Sequence, residues 1–467
     1  MKRTMTRYWL GCVLLFGLAL LLVAWLLGSP RSQVDWREVR AIVFESDDWG
    51  FCGFIPDSTV WRGLDPTVLR AGKVPEVYWG STLEDSLTVS RLAQIFTTFS
   101  GRDGLPAVFQ PNYIMSALDY RQPSPRDTVM TENWQQYDLP ALPPQYQRPG
   151  LWQAVAEAVA RGVWHPELHG AYHYDPIWRQ TAVRSDPQIQ VAAARGIVPF
   201  PRCSRAWELG TWRARNLLVA ELAHSLAVFQ GLFGRRPESV IAPDYAWDGR
   251  SERLWIKAGL QVVQAKRDQR HPRFQSGRFH HRLLKLLARA VARQTRSELT
   301  FLERNCRFEP TQHAEWQKAV DRCLFEIDRA WQQGEPAIVE THRINFAHTD
   351  QTIVSRGFLA LAELLTRLQT AHERDYLFLT DAELAQLYRT GTSFTIRGPK
   401  LVIRNLTHSR RLVEIPADQG FETVLGNGED SPAGVILVAV EPQTVIVKSL
   451  ASSSTAGDIS RGRSETK

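Results

Sequence analysis

Cysteine is scarce in this chain of 467 residues, and so are the signatures that usually narrow a function quickly. There are 5 cysteines, and no pair has the Cys-x-x-Cys spacing of a thiolate metal site, so any metal must be held by other side chains. Beyond Cys12, the spacing of Cys52, Cys203, Cys306 and Cys323 is compatible with a Cys306–Cys323 disulfide and equally with buried thiols. No zinc-finger, RRM-type or basic-zipper pattern occurs, and the net charge of +7 is a mild excess suited to a membrane surface or an acidic polymer. No nucleic-acid partner is expected. No internal repeat is visible, which excludes a solenoid or propeller.

Charge is also missing from one long run. Lys2, Arg3 and Arg7 precede Trp9 to Gly28, a charge-free stretch rich in Leu, Val and Ala. About 20 apolar residues cross a bilayer as a helix, and the preceding cations stay on the cytoplasmic side. No Ala-x-Ala cleavage pattern stands near the end of the run, so it reads as an uncleaved signal-anchor rather than a removed signal peptide. Cys12 sits too early for a lipoprotein box. The expectation is a single-pass membrane protein whose remaining chain is extracytoplasmic, periplasmic or at the cell surface.

Aromatic residues, in contrast, are plentiful. The 16 Trp and 11 Tyr suit sugar-ring stacking, although large cores also hold such residues. Short apolar runs alternate with helical periodicity between Val39 and Tyr388, which predicts a parallel α/β core with its chemistry where strands end. Val39–Glu45, Pro106–Met115, Val163–His169, Ser239–Ala242, Gln261–Ala265, Ala337–Glu340 and Tyr376–Leu379 read as strands. Leu83–Phe99, Leu151–Arg161, Thr211–Phe233, Ser251–Ala258, Trp316–Gln333, Phe358–Thr370 and Asp381–Tyr388 read as helices, the last capped by Asp381. From Thr392 onward only short β-like runs appear. The chain therefore divides into 1–35 (basic tip, transmembrane anchor, linker), 36–391 (catalytic α/β domain), 392–450 (small β unit) and a Ser- and charge-rich tail, 451–467.

Three segments could carry chemistry. Glu45-Ser46-Asp47-Asp48-Trp49-Gly50 follows the first strand, and adjacent carboxylates repel unless a cation joins them. One Asp can ligate a metal while the other takes a proton from water. His165-Pro166-Glu167-Leu168-His169-Gly170-Ala171-Tyr172-His173 concentrates three histidines in nine residues. On a helical turn, His169 and His173 would point the same way. Two imidazoles and a carboxylate make a zinc site with an open position. His165 and His169 share that spacing. The strand-like run through Leu168 holds His165 apart, leaving it as an alternative ligand. Glu340-Thr341-His342-Arg343-Ile344-Asn345 ends a later strand, where His342 could protonate a leaving amine. Arg343, Asn345, Asn112 and Tyr113 are placed by position to touch substrate. Separately, Lys266 to Arg296 is strongly basic and apolar at helical spacing, suited to an anionic membrane or glycan or to a solvated helix face.

The order strand–Asp-Asp, His-x-x-x-His, strand–His resembles the polysaccharide deacetylases of carbohydrate esterase family four, the NodB-homology group, over roughly Val39 to Leu379. The resemblance implies a distorted (β/α) barrel of the glycoside hydrolase/deacetylase type, a divalent metal that is usually Zn2+, and removal of acetyl groups from N-acetylated sugars. It implies Asp47 as catalytic base, Asp48, His169 and His173 as metal ligands, and His342 as catalytic acid. Two departures mark a divergent member. Trp49 stands where the family pattern goes directly to Gly, and Ala242-Pro243 lacks the Arg that steadies the base. The expected function is N-deacetylation of an envelope or exported polysaccharide. The alternative is an inactive, membrane-anchored glycan-binding or assembly protein with the same fold.

Overall fold

The structure, a computed structural model, describes residues 13–14, 16–21, 33–50, 55–72, 74–118, 136–197, 207–210, 213–266, 298–313, 315–416 and 435–450. Its centre is a parallel sheet built from β1 (Ala41–Trp49), β2 (Phe109–Tyr113), β5 (Glu167–Leu168), β6 (Ser239–Ile241), β7 (Val262–Ala265), β8 (Thr300–Glu303), β9 (Cys306–Arg307), β10 (Ala337–His342) and β11 (Leu377–Phe378). A short hairpin, β3 (Ser116–Leu118) and β4 (Gln136–Asp138), lies outside it. The sheet order is β8-β7-β6-β5-β2-β1-β10-β9, with β11 beside the start of β1. The outermost strands, β8 and β9, are separated in the chain only by Arg304 and Asn305. Three residue steps span at most about 10 Å, so the two sheet edges must meet. The sheet is therefore a distorted (β/α) barrel: the parallel α/β core agrees with the sequence pattern, and the barrel form with what the family resemblance implies.

Side-chain alternation along the strands layers the barrel interior. Ala41 and Val43 of β1 pack with Val262, Leu302, Ile338, Leu377 and Leu379 into an apolar plug. Two residues further along each strand, the inward positions become Glu45, Gln264, Arg304 and Glu340. The outward positions Ile42, Phe44, Phe109, Val240, Val263 and Val339 join the main core under the surrounding helices. One end of the barrel is thus sealed by hydrophobic burial, and the other is polar.

Local chemistry explains the elements that differ from expectation. The strand expected over Val163–His169 narrows to β5, because Pro166 lacks the N–H a ladder needs. The last helix of the barrel, Asp381–Thr390, is capped by Thr380 in a capping box with Glu383. Asp381 instead turns inward and accepts a hydrogen bond from Gln264 at 2.8 Å. The helices Pro66–Ala71, Pro176–Ser185 and Pro187–Ala194 were not anticipated, yet each opens with Asp as cap and Pro at its first position. Cys306 and Cys323 are buried and free, so the disulfide is not formed. Cys12, Cys52 and Cys203 lie outside the described residues.

Within the N-terminal apolar run, residues 13–14 and 16–21 are helical, with Leu14, Phe16, Leu18 and Leu20 exposed; the rest of the run lies outside the described residues. The basic stretch does too, apart from Lys266, as does the tail 451–467. Arg215–Phe233 is a 19-residue helix with mean hydropathy 1.3, long and apolar enough to cross a bilayer by those criteria. Its Leu226 and Phe229 are, however, part of the barrel's core. The C-terminal strands pair antiparallel as β12 (Thr392–Arg397), β13 (Lys400–Asn405) and β16 (Thr444–Ser449), with β14 (Arg411–Pro416) paired to β15 (Val435–Val440). Leu401, Ile403, Val413, Ile415, Ile436 and Val440 form their shared core.

Candidate active site

Alternate residues of a strand face opposite ways, so Asp47 and Asp48 should diverge. They do not, because β1 carries a bulge. Ser46 pairs with Pro111 and Trp49 with Tyr113, so three steps on β1 oppose two on β2. Pro111, with no N–H to offer, sits at that irregularity. Asp48 adopts φ 70, a left-handed conformation that Asp tolerates better than most residues. Trp49, the residue out of keeping with the family pattern, is fully buried and anchors the bend, donating from Nε1 to Ser46 Oγ at 2.8 Å. Glu84 accepts the Gly50 N–H at 3.0 Å just beyond it.

His169 follows β5, and His173 lies four residues on in a turn with φ 67, not on the helical turn that the spacing suggests. The two rings still converge. Asp48 Oδ1 is 3.5 Å from His169 Nε2 and 3.2 Å from His173 Nε2. Ligand atoms about 2.0–2.1 Å from a tetrahedral zinc would stand about 3.4 Å apart, so these separations are compatible with one shared ion. His169 Nδ1 lies 3.2 Å from the Ile241 carbonyl, which only accepts, so Nδ1 carries a proton and Nε2 is the nitrogen turned to Asp48. All three residues are buried and could hold a metal.

Beside this trio stands Asp47. Arg304 Nη1 and Nη2 reach its two carboxylate oxygens at 2.7 and 2.8 Å, and Asn112 Nδ2 donates to Oδ1 at 2.8 Å. Burial pushes the Asp47 carboxyl up, but the Arg304 charge and hydrogen bonds outweigh it and hold the group well below the usual carboxylate range. Arg304 also donates from Nε to Glu45 at 2.5 Å and from Nη1 to the Tyr245 hydroxyl at 2.8 Å. Ala242-Pro243 indeed carries no Arg. The guanidinium comes instead from the residue after β8, while Tyr245, at the end of the same Pro segment, braces it.

His342 ends β10, with Nε2 3.9 Å from Asp47 Oδ2. Its Nδ1 lies 2.5 Å from Glu309 Oε1. Burial disfavours the imidazolium, but the Glu309 carboxylate, followed by Asp48 and Asp47, overcomes this and lifts the group to about 10. A protonated imidazole and an ionised carboxylate thus flank the Asp48–His169–His173 trio.

The remaining expected residues separate into supports and bystanders. Asn112 holds Asp47 and exchanges amide hydrogen bonds with Gln264 at 2.8 and 2.9 Å. Asn345 donates to Glu309 Oε2 at 2.8 Å, so it steadies the partner of His342 rather than facing a substrate. Arg343 is buried and pairs with Glu84 at 3.4 Å, and Tyr113 is buried in the main core; neither points into the site. His165 is not at the trio. It pairs with Glu167 at 3.1 Å, and Arg235 joins the same carboxylate at 3.0 Å. Arg304 and Glu309 were missed. Arg304 follows β8, a strand that the alternation of apolar residues does not reveal, and Glu309 meets His342 through the parallel pairing of β9 with β10.

No family model and no curated protein matches the sequence. Among solved structures, the carbohydrate deacetylase Agd3 matches with 12% identity over 89% of this chain and 65% of its own, at a TM-score of 0.42. PuuE allantoinase matches at 9% over 75% and 91%, TM-score 0.36. A Mycobacterium smegmatis protein assigned as a polysaccharide deacetylase matches at 11% over 75% and 91%, TM-score 0.35. At such identities and scores, no activity is carried over from any of them.

Proposed function

We propose that this chain is a metal-dependent hydrolase that removes acetyl groups from an N-acetylated polysaccharide. The convergence of Asp48, His169 and His173 at separations of one ion's coordination sphere, beside Asp47, carries the reading. A divalent ion bound there, Zn2+ by the donor set, would supply Lewis acidity and lower the pKa of a water. Asp47, fixed by Arg304 and Asn112, takes the proton of the attacking water. Arg304 makes it a weak base held in one orientation, so its contribution rests on placement. His342, kept protonated by Glu309, delivers a proton to the departing amine nitrogen. The resemblance of the order strand–Asp-Asp, His-x-x-x-His, strand–His to polysaccharide deacetylases supports an N-acetylated sugar substrate. The charge-free N-terminal run supports a membrane anchor with the barrel outside the cytoplasm.

The alternative, a catalytically silent glycan-binding or assembly protein, draws its main support from the lack of an Arg beside Pro243; Arg304, paired with Asp47, weakens that support. The test is metal analysis of purified variants together with acetate release from N-acetylated oligosaccharides. Asp48→Ala and His173→Ala should lose the metal. Asp47→Asn should retain it and lose roughly 10²–10⁴-fold in turnover. Acetate release by the wild type should stop with a chelator. A full metal load in the His173 variant, or no chelator-sensitive release, refutes the proposal.

A further inference from the structure

The turn between the two histidines cannot hold itself. Gly170 and Ala171 have no polar side chain, and the Tyr172 hydroxyl is directed to Gln136 at 2.8 Å. Yet His173 is kept at φ 67, a conformation that persists only when its surroundings over-determine it. On one side the Met115 and Ser116 N–H groups donate to the Gly170 and Ala171 carbonyls at 3.3 and 2.8 Å; the N–H groups of the turn are held by a separate stretch of chain. Glu208 Oε1 accepts the Ala171 N–H at 2.7 Å, and Oε2 accepts the Tyr172 N–H at 3.1 Å. The carboxylate is buried, 4% exposed, and lies where a side chain at position 170 would be. A Cβ on Gly170, whose φ is +90, would stand 2.7 Å from Oε1 and 2.9 Å from Oε2. The glycine at this point of the His-x-x-x-His sequence is therefore the space that admits the carboxylate.

The same stretch grips the chain on the other side of His173. Trp207 forms a β-bridge with Tyr174. Arg213 donates to the Glu208 backbone carbonyl at 2.9 Å and pairs through Nε with Asp175 at 3.2 Å. Glu221 accepts from Arg213 Nη1 at 2.7 Å, which fixes the guanidinium to the helix Arg215–Phe233. His173 is thus bracketed at 170–172 by Glu208 and at 174–175 by Trp207 and Arg213.

We infer that Glu208 is a positioning residue of the metal centre, setting the place of His173 through the backbone of the turn, Gly170 being its steric counterpart. The inference rests on the reading of Asp48, His169 and His173 as ligands. Groups hydrogen-bonded directly to metal ligands typically contribute 10–100-fold to metal affinity, and Glu208, which acts through the backbone that carries His173, is expected to act on the same scale.

The experiment measures Zn2+ affinity of the full chain by competition with a chromophoric chelator, alongside thermal melting of the metal-free proteins. Glu208→Ala should weaken binding roughly 10–100-fold, and Glu208→Gln, which keeps the volume and one acceptor, about tenfold. Glu383→Gln, which alters an equally buried carboxylate at the β12–β13 strands, should lower the melting temperature and leave Zn2+ affinity unchanged. If Glu208→Ala does not fold, Glu208→Gln decides. Affinity within twofold of wild type in Glu208→Gln overturns the inference, as does an equal loss in Glu383→Gln. A wild-type chain that binds no Zn2+ overturns the metal reading itself, an outcome distinct from the other two.

Discussion

Asp47 and Asp48 are neighbours in the chain, yet each meets a different kind of partner. Asp48 faces two imidazole nitrogens, while Asp47 faces a guanidinium. Arg304 also touches Glu45, so two carboxylates compete for one cation. Burial raises Glu45 to about 8 against the pull of Arg304, which leaves it protonated at neutral pH and the full ion pair to Asp47. The matching pair on the other flank is His342 with Glu309. Glu309→Gln keeps a hydrogen-bond acceptor and removes the charge. His342 should then release its proton at lower pH, and the alkaline limb of kcat should move toward acid by roughly 1–3 pH units. A pH–rate profile of the variant checks this. A limb that stays in place means that His342 is not the titrating acid.

At the scale of elements, the helix Gln351–His372 fixes this acid without touching it. Gly357 lets the helix lie on the turn Arg343–Asn345: a Cβ at that position would be 1.7 Å from the Asn345 carbonyl oxygen. Asn345 in turn holds Glu309 and accepts no displacement without loosening His342. Gly357→Ala should therefore cost about 1–3 kcal/mol of stability through overpacking. It should also lower kcat with little effect on metal content, as checked by denaturant unfolding and kinetics of the same preparation. This coupling was not legible in the sequence, where Gly357 is an unremarked residue within a helical pattern. What was legible is what local periodicity encodes. The short continuous apolar run Ala41–Phe44 placed β1, and the acids at its end pointed to the site. Arg304, Glu309 and Glu208 were not legible, because each matters through a contact with a residue distant in the chain, which local periodicity does not encode. The conformation of the His169–His173 turn was hidden for a related reason: spacing suggests a helix, whereas Gly170 and Glu208 together enforce a turn.

At the scale of the molecule, the C-terminal strands are joined to the barrel by a buried charge cluster at the start of the helix Asp381–Thr390. Glu383 receives Arg397 Nη2 at 2.5 Å and also meets Arg404 Nη1, while Arg404 Nη2 reaches Asp103 at 2.8 Å. Burial raises Glu383, but the two guanidinium groups more than compensate and bring it from 4.5 to about 2. For a carboxylate lowered in the folded state, the stabilisation is complete above the unfolded value and is lost as pH falls toward the folded one. The window is therefore between about 4.5 and about 2, and the shift amounts to about 3 kcal/mol at neutral pH. Glu383→Gln abolishes this dependence and leaves two buried cations short of a counter-charge, a further cost. The wild type should melt well above the variant at pH 7, and the gap should shrink steadily below pH 4.5, followed by calorimetry of both chains at matched ionic strength. A gap that stays constant down to pH 3 would place the stabilisation elsewhere. A gap that closes would show that the same side chain which completes the capping box with Thr380 also binds the β strands to the barrel.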